Sequence, residues 1–446
     1  MNFRYPYGHV LYRNLHLSYP LITHGKGTYL YDEKGKRYLD ASGGAAVVNI
    51  GHGVKEVAEA ISSQAQKVGY LSGMQFTHHP VENLAQQLAR LLPFADGKVY
   101  FLTSGSEAIE ASVKLARQYW VERGKETKFR LISRDPSYHG NTLAALSISA
   151  REHYKDIFRP MLTESIKIPA PYCYRCFCNK AYPDCNLECA YELEKSIQKL
   201  GKENVSAFIT EVIGGASLGA AVPPPEYFPI IRQICDDYEV LLIVDEVMTG
   251  AGRTGKWLAS DHFDFIPDII VMGKGITGGY FPLSALAVRK GIVDPISKNN
   301  RNFLHAQTYT HHPVGCAAGL AILGFIKKNK LVERSSKLGE TLMERLSSFL
   351  SHPHVGDLRG KGLFLGIEFV KDKKTKTPFP REKKYVEYLL LKAMKRGLII
   401  WPNIGHADGV NGDLILVAPP FIITQEEIAQ LQSYLGEILE EMKQIA

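Results

Sequence analysis

The sequence has no long apolar segment, internal repeat or low-complexity tract. Its longest nearly apolar run, residues 414–423, contains Pro419 and Pro420. That run is far shorter than the roughly 20 residues that a membrane-spanning helix needs. No basic-then-apolar leader opens the chain, so we expect a protein with no membrane partner. These absences predict a cytoplasmic location.

The chain has only a small excess of one sign of charge, and it has few cysteines. The net charge of +7 is small for 446 residues, and the densest basic run, residues 371–376, is typical of a solvated loop, so we expect no nucleic-acid partner. Seven cysteines, without a secretory signal, indicate thiols or metal ligands rather than a disulfide framework. Apolar residues make up 45% of the chain, enough for a sizeable core, and the length suits two or three domains.

The apolar pattern predicts an α/β architecture. Residues 27–44 read as a β-hairpin with Gly35 in the turn, and residues 54–68 have helical spacing. Six short apolar runs then alternate with helical segments, which predicts a largely parallel, helix-covered sheet. These runs are residues 98–102, 129–133, 207–211, 240–246, 268–272 and 283–288. We predict a large domain at residues 61–335 and a smaller α+β domain formed by residues 1–60 and 336–446.

Two ionisable side chains follow buried strands. Asp245 ends the apolar run LLIVD, and Lys274 follows the run IIVMG about thirty residues later, among several glycines. Ligands of open α/β sheets bind at the carboxyl ends of strands. An acid there can also cap a helix or bind Mg²⁺, and a lysine can extend to the surface. A buried lysine, however, should have a lowered pKa, as Schiff-base chemistry requires.

Two further segments also follow strands. In TSGSEA, small residues including Gly105 and Ser106 come at the start of a helix, where free N–H groups favour an anion such as phosphate. In SYHGNT, Tyr138 provides an aromatic ring that can cover a flat cofactor, although a tyrosine at the edge of the core would look the same. Together the four segments indicate a site for a phosphorylated, planar cofactor.

These segments resemble those of class III, or ω-type, aminotransferases of pyridoxal-phosphate (PLP) fold type I. Further motifs that carry the resemblance are NIGHG, ITEVIGG, VDEVMTGAGRTGKW, QTYTHHP and RGKGLFLGIEF, so that it covers the chain from about Tyr29 onward. The resemblance implies a mostly parallel, seven-stranded-type central sheet with flanking helices. It assigns Lys274 as the lysine that binds PLP and shuttles protons, and Asp245 as the partner of the ring nitrogen. The other cofactor-binding residues that it implies are Gly105, Ser106, Tyr138, Glu211, Val247 and, from the neighbouring subunit, Thr308.

The resemblance also implies a reaction and an assembly. We expect an amino group to pass from a primary amine, or a β- or ω-amino acid, to a 2-oxo acid, with pyruvate as the acceptor, by a ping-pong mechanism. We expect a homodimer with shared active sites, and a tetramer remains open. The alternatives are a pair of α-amino dicarboxylate and 2-oxoglutarate, a PLP lyase or decarboxylase of the same fold, or a PLP-fold protein that only binds ligands.

The chain departs from the family pattern at two places. Many members have an arginine before the APP motif that grips the substrate carboxylate, and Leu416 stands there in this chain. Arg159 or a partner-subunit arginine is the expected substitute, because Arg253 and Arg359 lie in family motifs and are expected to be structural. The second departure is a cysteine-rich insert. Its CxxC and CxxxC spacing fits zinc or a thiol-rich loop, and we assign no metal site to it; the spaced cysteines are Cys173, Cys176, Cys185 and Cys189.

Overall fold

The computed structural model describes residues 5–443, which form three β-sheets and the helices that cover them. The strands are β1 Ile22–Lys26, β2 Tyr29–Asp32, β3 Arg37–Asp40, β4 Lys98–Leu102, β5 Arg130–Asp135, β6 Ile166–Pro169, β7 Val205–Glu211, β8 Leu241–Asp245, β9 Ile269–Met272, β10 Ser284–Val288, β11 Val355–Lys361, β12 Phe364–Phe369, β13 Leu398–Ile399, β14 Trp401–Ile404 and β15 Asp413–Val417.

The helices alternate with the strands through the middle of the chain. They are α1 Gly43–Ala46, α2 Lys55–Lys67, α3 His79–Ala89, α4 Gly105–Glu122, α5 Leu143–Ile148, α6 Glu152–Lys155, α7 Glu188–Leu200, α8 Tyr227–Asp237, α9 Lys290–Lys298, α10 Pro313–Lys328, α11 Leu331–Ser347, α12 Tyr385–Arg396 and α13 Gln425–Met442. Among the described residues, no helix is both long and apolar enough to cross a membrane.

The central sheet has seven strands in the order β4-β10-β9-β8-β7-β5-β6. Strand β10 is antiparallel to both of its neighbours, and the other pairs are parallel. Strands β7 to β10 are buried along their whole length, as expected for strands that helices cover on both faces. The predicted mostly parallel, helix-flanked sheet is therefore confirmed.

Two smaller sheets come from the chain ends. Strand β3 pairs in parallel with β13, which joins the N-terminal hairpin to the C-terminal third. The other sheet, β11-β12-β15-β14, is antiparallel. These pairings support a smaller α+β unit built from both ends of the chain. The domain boundaries at residues 60 and 335 stay a prediction.

Strand β15 is buried on both faces and lies between two apolar cores. Leu416 and Ala418 belong to the core that also contains β8 residues, whereas Ile415 and Val417 belong to the core of the C-terminal helices. This alternation follows from the period of two in a strand. It explains why residues 414–417 are continuously apolar rather than alternating with polar residues.

Three glycines let helix α11 pack against backbone. A Cβ on Gly339 would come within 2.2 Å of the carbonyl carbon of Gly362, in the turn between β11 and β12. A Cβ on Gly362 would in turn lie 2.4 Å from the carbonyl carbon of Thr254, and one on Gly255 would lie 2.8 Å from the Cα of Ser336. Because backbone cannot give way as a side chain can, this contact requires glycine.

The close packing at Gly339 generates a stability prediction. Gly339→Ala should lower the midpoint of thermal unfolding by several degrees, because helix α11 must move away from Gly362. Gly324→Ala is the matched control, since Gly324 also lies inside a helix but a Cβ there would meet nothing within 4 Å. Alanine in an open helical position stabilises by about 0.5–1 kcal/mol. Equal midpoints for the two variants in calorimetry would contradict this packing.

Candidate active site

Three ionisable side chains meet at the carboxyl edge of the central sheet. Strand β7 ends at Glu211 and β8 ends at Asp245, and the two residues are register partners. Strand β9 ends at Met272, two residues before Lys274. Parallel strands direct their carboxyl ends to one edge of a sheet, which brings the residues together from distant parts of the sequence.

The carboxylate of Asp245 is held in one orientation. Val247 N donates to Oδ1 at 3.0 Å, and His139 Nδ1 lies 2.9 Å from Oδ2. The side chain of His139 is fully buried, and that of Asp245 is only 7% exposed. With Asp245 ionised, the proton of the His139 contact lies on Nδ1, which therefore donates to Oδ2. The arrangement presents a fixed negative charge to the site.

Lys274 is a buried amine between two carboxylates. Burial lowers the pKa of Lys274 to about 8, against the opposing effect of Asp245 and Glu211, and the positive charge of Arg253 lowers it further. Its backbone has φ +45°, a left-handed conformation that is strained for any residue except glycine. The surrounding fold therefore fixes the lysine in place. A lowered pKa favours the neutral amine, which is the nucleophilic form.

Helix α4 presents free backbone N–H groups to the same region. Ser104 caps the helix by accepting from Glu107 N at 3.3 Å, and Glu107 reaches back to Ser104 N at 3.0 Å. Within residues 5–443, the N–H groups of Gly105 and Ser106 have no hydrogen-bond partner. These two groups, at the positive end of an 18-residue helix, can receive an anion.

Glu211 and Tyr138 complete one wall of the site. The Glu211 carboxylate accepts from Gly215 N at 2.8 Å and from Tyr138 N at 3.4 Å. Burial raises the pKa of Glu211 above its ordinary value. Tyr138 is partly buried, and burial raises the pKa of its phenol, which therefore stays protonated and apolar on its ring faces.

Seven of the eight residues proposed from the sequence line one cavity of about 180 Å³. Thr308 does not, because it lies in an exposed loop between α9 and α10. The cavity also has residues that the sequence analysis did not single out, among them His139, Ile213, Met248 and Thr249. The seven are Gly105, Ser106, Tyr138, Glu211, Asp245, Val247 and Lys274.

The set of donors and acceptors fits pyridoxal phosphate. The cofactor has an aldehyde that needs an amine, a ring nitrogen that needs a carboxylate, and a phosphate that needs N–H donors. Lys274, Asp245 and the two free N–H groups of helix α4 offer these partners around a single cavity. Tyr138 adds an aromatic ring at the same wall.

The prediction that Leu416 faces the substrate is wrong. Leu416 is 1% exposed and packs in the core, and it lines neither this cavity nor the one beside Arg151. Leu416 was expected near the ligand because it precedes the APP motif in the sequence, but both faces of β15 are covered. The residues that line the cavity, and not Leu416, therefore determine which substrate charge the site accepts.

The arginines named from the sequence are all engaged elsewhere. Arg159 is exposed and pairs with Glu152 at 2.5 Å and Asp156 at 3.0 Å, so it does not reach the cavity as proposed. Arg253 donates to the backbone carbonyls of Val48, Leu363 and Pro419. Arg359 pairs with Asp357 and Glu368. The expectation that Arg253 and Arg359 are structural agrees with these contacts.

Sequence reasoning missed Arg151. Its guanidinium carbon lies 5.9 Å from the centroid of the Tyr138 ring. The only hint in the sequence is that Arg151 follows SYHGNT by about ten residues; the approach depends on a bridge between Ser137 and Ala150 that returns the chain to the strand end.

The cysteine-rich insert contains free thiols. Cys176 Sγ and Cys178 Sγ are 3.3 Å apart, and burial raises the pKa of Cys189 to about 12. Across the part of the chain that the structure describes, no three histidine, cysteine, aspartate or glutamate side chains are close enough together to hold a metal ion. The zinc spacing read from the sequence is therefore not assembled into a site.

Comparison with known proteins identifies relatives over nearly the whole chain. The family model for aminotransferase class III matches residues 12–439. The uncharacterized aminotransferase YodT of Bacillus subtilis is 40% identical over 94% of this chain and 95% of its own. The putrescine–pyruvate aminotransferase of Pseudomonas aeruginosa is 33% identical over 94% of this chain and 90% of its own.

Solved structures give the same result. The thermostable (S)-enantioselective ω-transaminase of Thermomicrobium roseum superimposes with a TM-score of 0.90 at 35% identity, covering 97% of this chain and 96% of that one. The ω-transaminase of Pseudomonas jessenii, solved in complex with PMP, has a TM-score of 0.89 at 30% identity, covering 96% and 94%.

The burial of Lys274 generates a prediction for the cofactor-free protein. Its amine should titrate near pH 8, below the ordinary value of 10.5. The negative charge of Asp245 raises this pKa, so Asp245→Asn should move the midpoint to lower pH. The measurement is the rate at which dinitrofluorobenzene modifies Lys274 as a function of pH, followed by mass spectrometry with the exposed Lys34 as internal reference. An upward movement in Asp245→Asn would contradict the geometry.

Proposed function

The chain belongs to the class III aminotransferases, and from that premise we propose that it transfers an amino group from a primary amine, or a β- or ω-amino acid, to pyruvate. The transfer takes place in two half-reactions of a ping-pong cycle, in the cytoplasm. The observation that carries the proposal is the single cavity that joins Lys274, Asp245 and the N-terminus of helix α4.

Class III aminotransferases depend on pyridoxal phosphate, and we propose how this chain holds it. Lys274 would bind it through Nζ, Asp245 would accept a hydrogen bond from the protonated ring nitrogen, and the N–H groups of Gly105 and Ser106 would bind the phosphate. When bound, the cofactor supplies an electron sink for the carbon that loses a proton. Lys274 Nζ would move that proton, because an amine with a lowered pKa both accepts and returns protons near neutral pH.

The lining of the cavity supports a substrate with little charge near its reacting amine. Lys274 is the only lysine or arginine among the described residues that line it. A carboxylate placed there would lose its hydration without gaining a cationic partner, which is costly. This favours simple amines and amino acids whose carboxylate lies far from the amine. The name of the Pseudomonas aeruginosa relative, a putrescine–pyruvate aminotransferase, supports the same class of donor and the same acceptor.

We also propose a homodimer with shared active sites, with a tetramer as an open possibility. Exposed apolar side chains cluster on two loops, at residues 70–76 and 304–309, where Met74 is 91% and Leu304 is 71% exposed. The rings of Tyr70 and Tyr309 are in edge contact at 6.1 Å, which brings the two loops together. Large apolar surface of this kind is typical of protein interfaces. Thr308, in the second loop, would then reach the phosphate in the neighbouring subunit.

A half-reaction screen tests the proposed function. Candidate amines are added to the PLP-loaded enzyme without an acceptor, and conversion to the pyridoxamine form is recorded by absorbance. We expect conversion with putrescine or a simple ω-amine. Lys274→Ala should lower turnover by several orders of magnitude, because nucleophile and proton carrier are lost together, while the fold remains. Near-normal turnover in this variant would rule out the proposed role of Lys274.

Acceptor preference tests the substrate range. With a fixed amine, kcat/KM should be higher for pyruvate than for 2-oxoglutarate, because 2-oxoglutarate brings one more carboxylate to a cavity whose described lining has no lysine or arginine besides Lys274. The measurement is alanine or glutamate formation under identical conditions. A tenfold preference for 2-oxoglutarate, about 1.4 kcal/mol, would favour the dicarboxylate alternative and leave the amino-transfer proposal standing.

A further inference from the structure

Arg151 is anchored next to the site by backbone. Ala150 N donates to Ser137 O at 3.0 Å, so the chain returns to the end of β5 after helix α5. Arg151 follows immediately and precedes the short helix α6. Its guanidinium therefore lies over Tyr138, whose ring lines the cavity of Lys274. Arg151 itself lines an adjoining cavity of about 300 Å³.

Only one of the three nitrogens of the Arg151 guanidinium is engaged by the residues that the structure describes. Nη2 donates to Asn403 Oδ1 and lies 3.5 Å from His153 Nε2. Within residues 5–443, Nη1 and Nε have no hydrogen-bond partner, and no carboxylate lies within 4 Å of the group. By contrast, Arg159 pairs with two carboxylates. Nε and Nη1 lie on different edges of the guanidinium, each shared with Nη2, and a partly buried arginine with both of these donors unpartnered can receive an anion.

The surroundings of Arg151 also favour an anion. Its guanidinium carbon lies 4.4 Å from the centroid of the Tyr154 ring, and that of Arg13 lies 5.0 Å from the same centroid. Two guanidiniums thus share one tyrosine. Burial lowers the pKa of Arg151, and the positive charge of Arg13 lowers it further. An anion bound beside this pair of guanidiniums would relieve the cost of bringing two like charges together.

The acids around the adjoining cavity do not fill this role. Glu152 pairs with Arg159, and Asp408 accepts from Asn411 N and Val410 N. Burial raises the pKa of Asp135, which disfavours its charge. Glu211, which lines the first cavity, is held by backbone N–H groups rather than by Arg151. Among the described residues, no acid therefore occupies Nη1 or Nε of Arg151, which leaves these two donors to a ligand.

We propose that Arg151, oriented by Asn403 and assisted by Arg13, binds the carboxylate of the 2-oxo acid acceptor. This inference rests on the proposed function, because it names the group that positions the acceptor in the second half-reaction. The carboxylate of the acceptor would then lie beside Tyr138, and the uncharged part of the acceptor would occupy the cavity that Lys274 lines.

The test compares acceptors with and without the carboxylate. In Arg151→Gln holoenzyme, kcat/KM for pyruvate relative to kcat/KM for propanal should fall at least 30-fold, mainly through KM. Arg151→Lys keeps the charge but replaces the planar guanidinium with a single ammonium, so it should recover part of the loss. Arg159→Gln is the matched control, since it removes an equal charge nearby, and its ratio should stay within threefold of the wild type. A ratio that is unchanged in Arg151→Gln would overturn the proposal.

A binding measurement separates this proposal from the amino-transfer proposal. Propanoate has the carboxylate but no carbonyl, so its binding to the holoenzyme by calorimetry requires no turnover. We expect Arg151→Gln to weaken that binding at least tenfold, with an unchanged absorbance spectrum of the enzyme. Loss of both the spectrum and the binding would indicate a structural role and overturn the proposal. If the wild type forms no alanine from any amine and pyruvate, the proposed amino transfer is refuted. If the wild type and Arg151→Gln bind propanoate equally, only the carboxylate site at Arg151 is refuted.

Discussion

The site depends on a charge balance at the edge of the central sheet. An amine and two carboxylates are removed from water together there, and the carboxylates favour the charged form of Lys274 while they disfavour each other's charge. Lys274 is neutral at a lower pH than an exposed lysine because desolvation outweighs the attraction of Asp245 and Glu211. Backbone N–H groups and His139 then hold the carboxylates in place. Without its burial Lys274 would be an ordinary cation, whereas without the two carboxylates its pKa would be lower still.

The packing of the smaller sheets keeps the site in shape. Arg253 is fully buried, and it donates to carbonyls from three separate segments of the chain. Arg253 lies in the loop that follows Asp245 at the end of β8. Its hydrogen bonds therefore attach that loop to the backbone at Val48, Leu363 and Pro419. The glycines of the α11 contact let the same loop approach helix α11. Strand β15 is covered on both faces and packs between the core that contains β8 residues and the core of the C-terminal helices.

Local features of the site could be predicted from the sequence, and the relations between distant segments could not. Apolar runs that end in Asp245 and Lys274 gave the strand ends, because burial and chain direction are encoded within a few residues. The short edge strand β6, with the sequence IKIP, carries no comparable pattern. Nor does the antiparallel direction of β10, which depends on its neighbours. Leu416 was misassigned and Arg151 missed for one reason: the surroundings of each depend on segments far away in the sequence.

The cap of helix α4 has a consequence for assembly. Ser104 and Glu107 use up part of the helix N-terminus, so two N–H groups rather than four face an incoming phosphate, and a carboxylate stands close by. One chain therefore offers the phosphate an incomplete set of donors. Under the proposed dimer, Thr308 of the second chain completes that set, and subunit association and cofactor retention become linked equilibria. Diluting the enzyme would then release its cofactor, and saturating it with cofactor would strengthen the dimer.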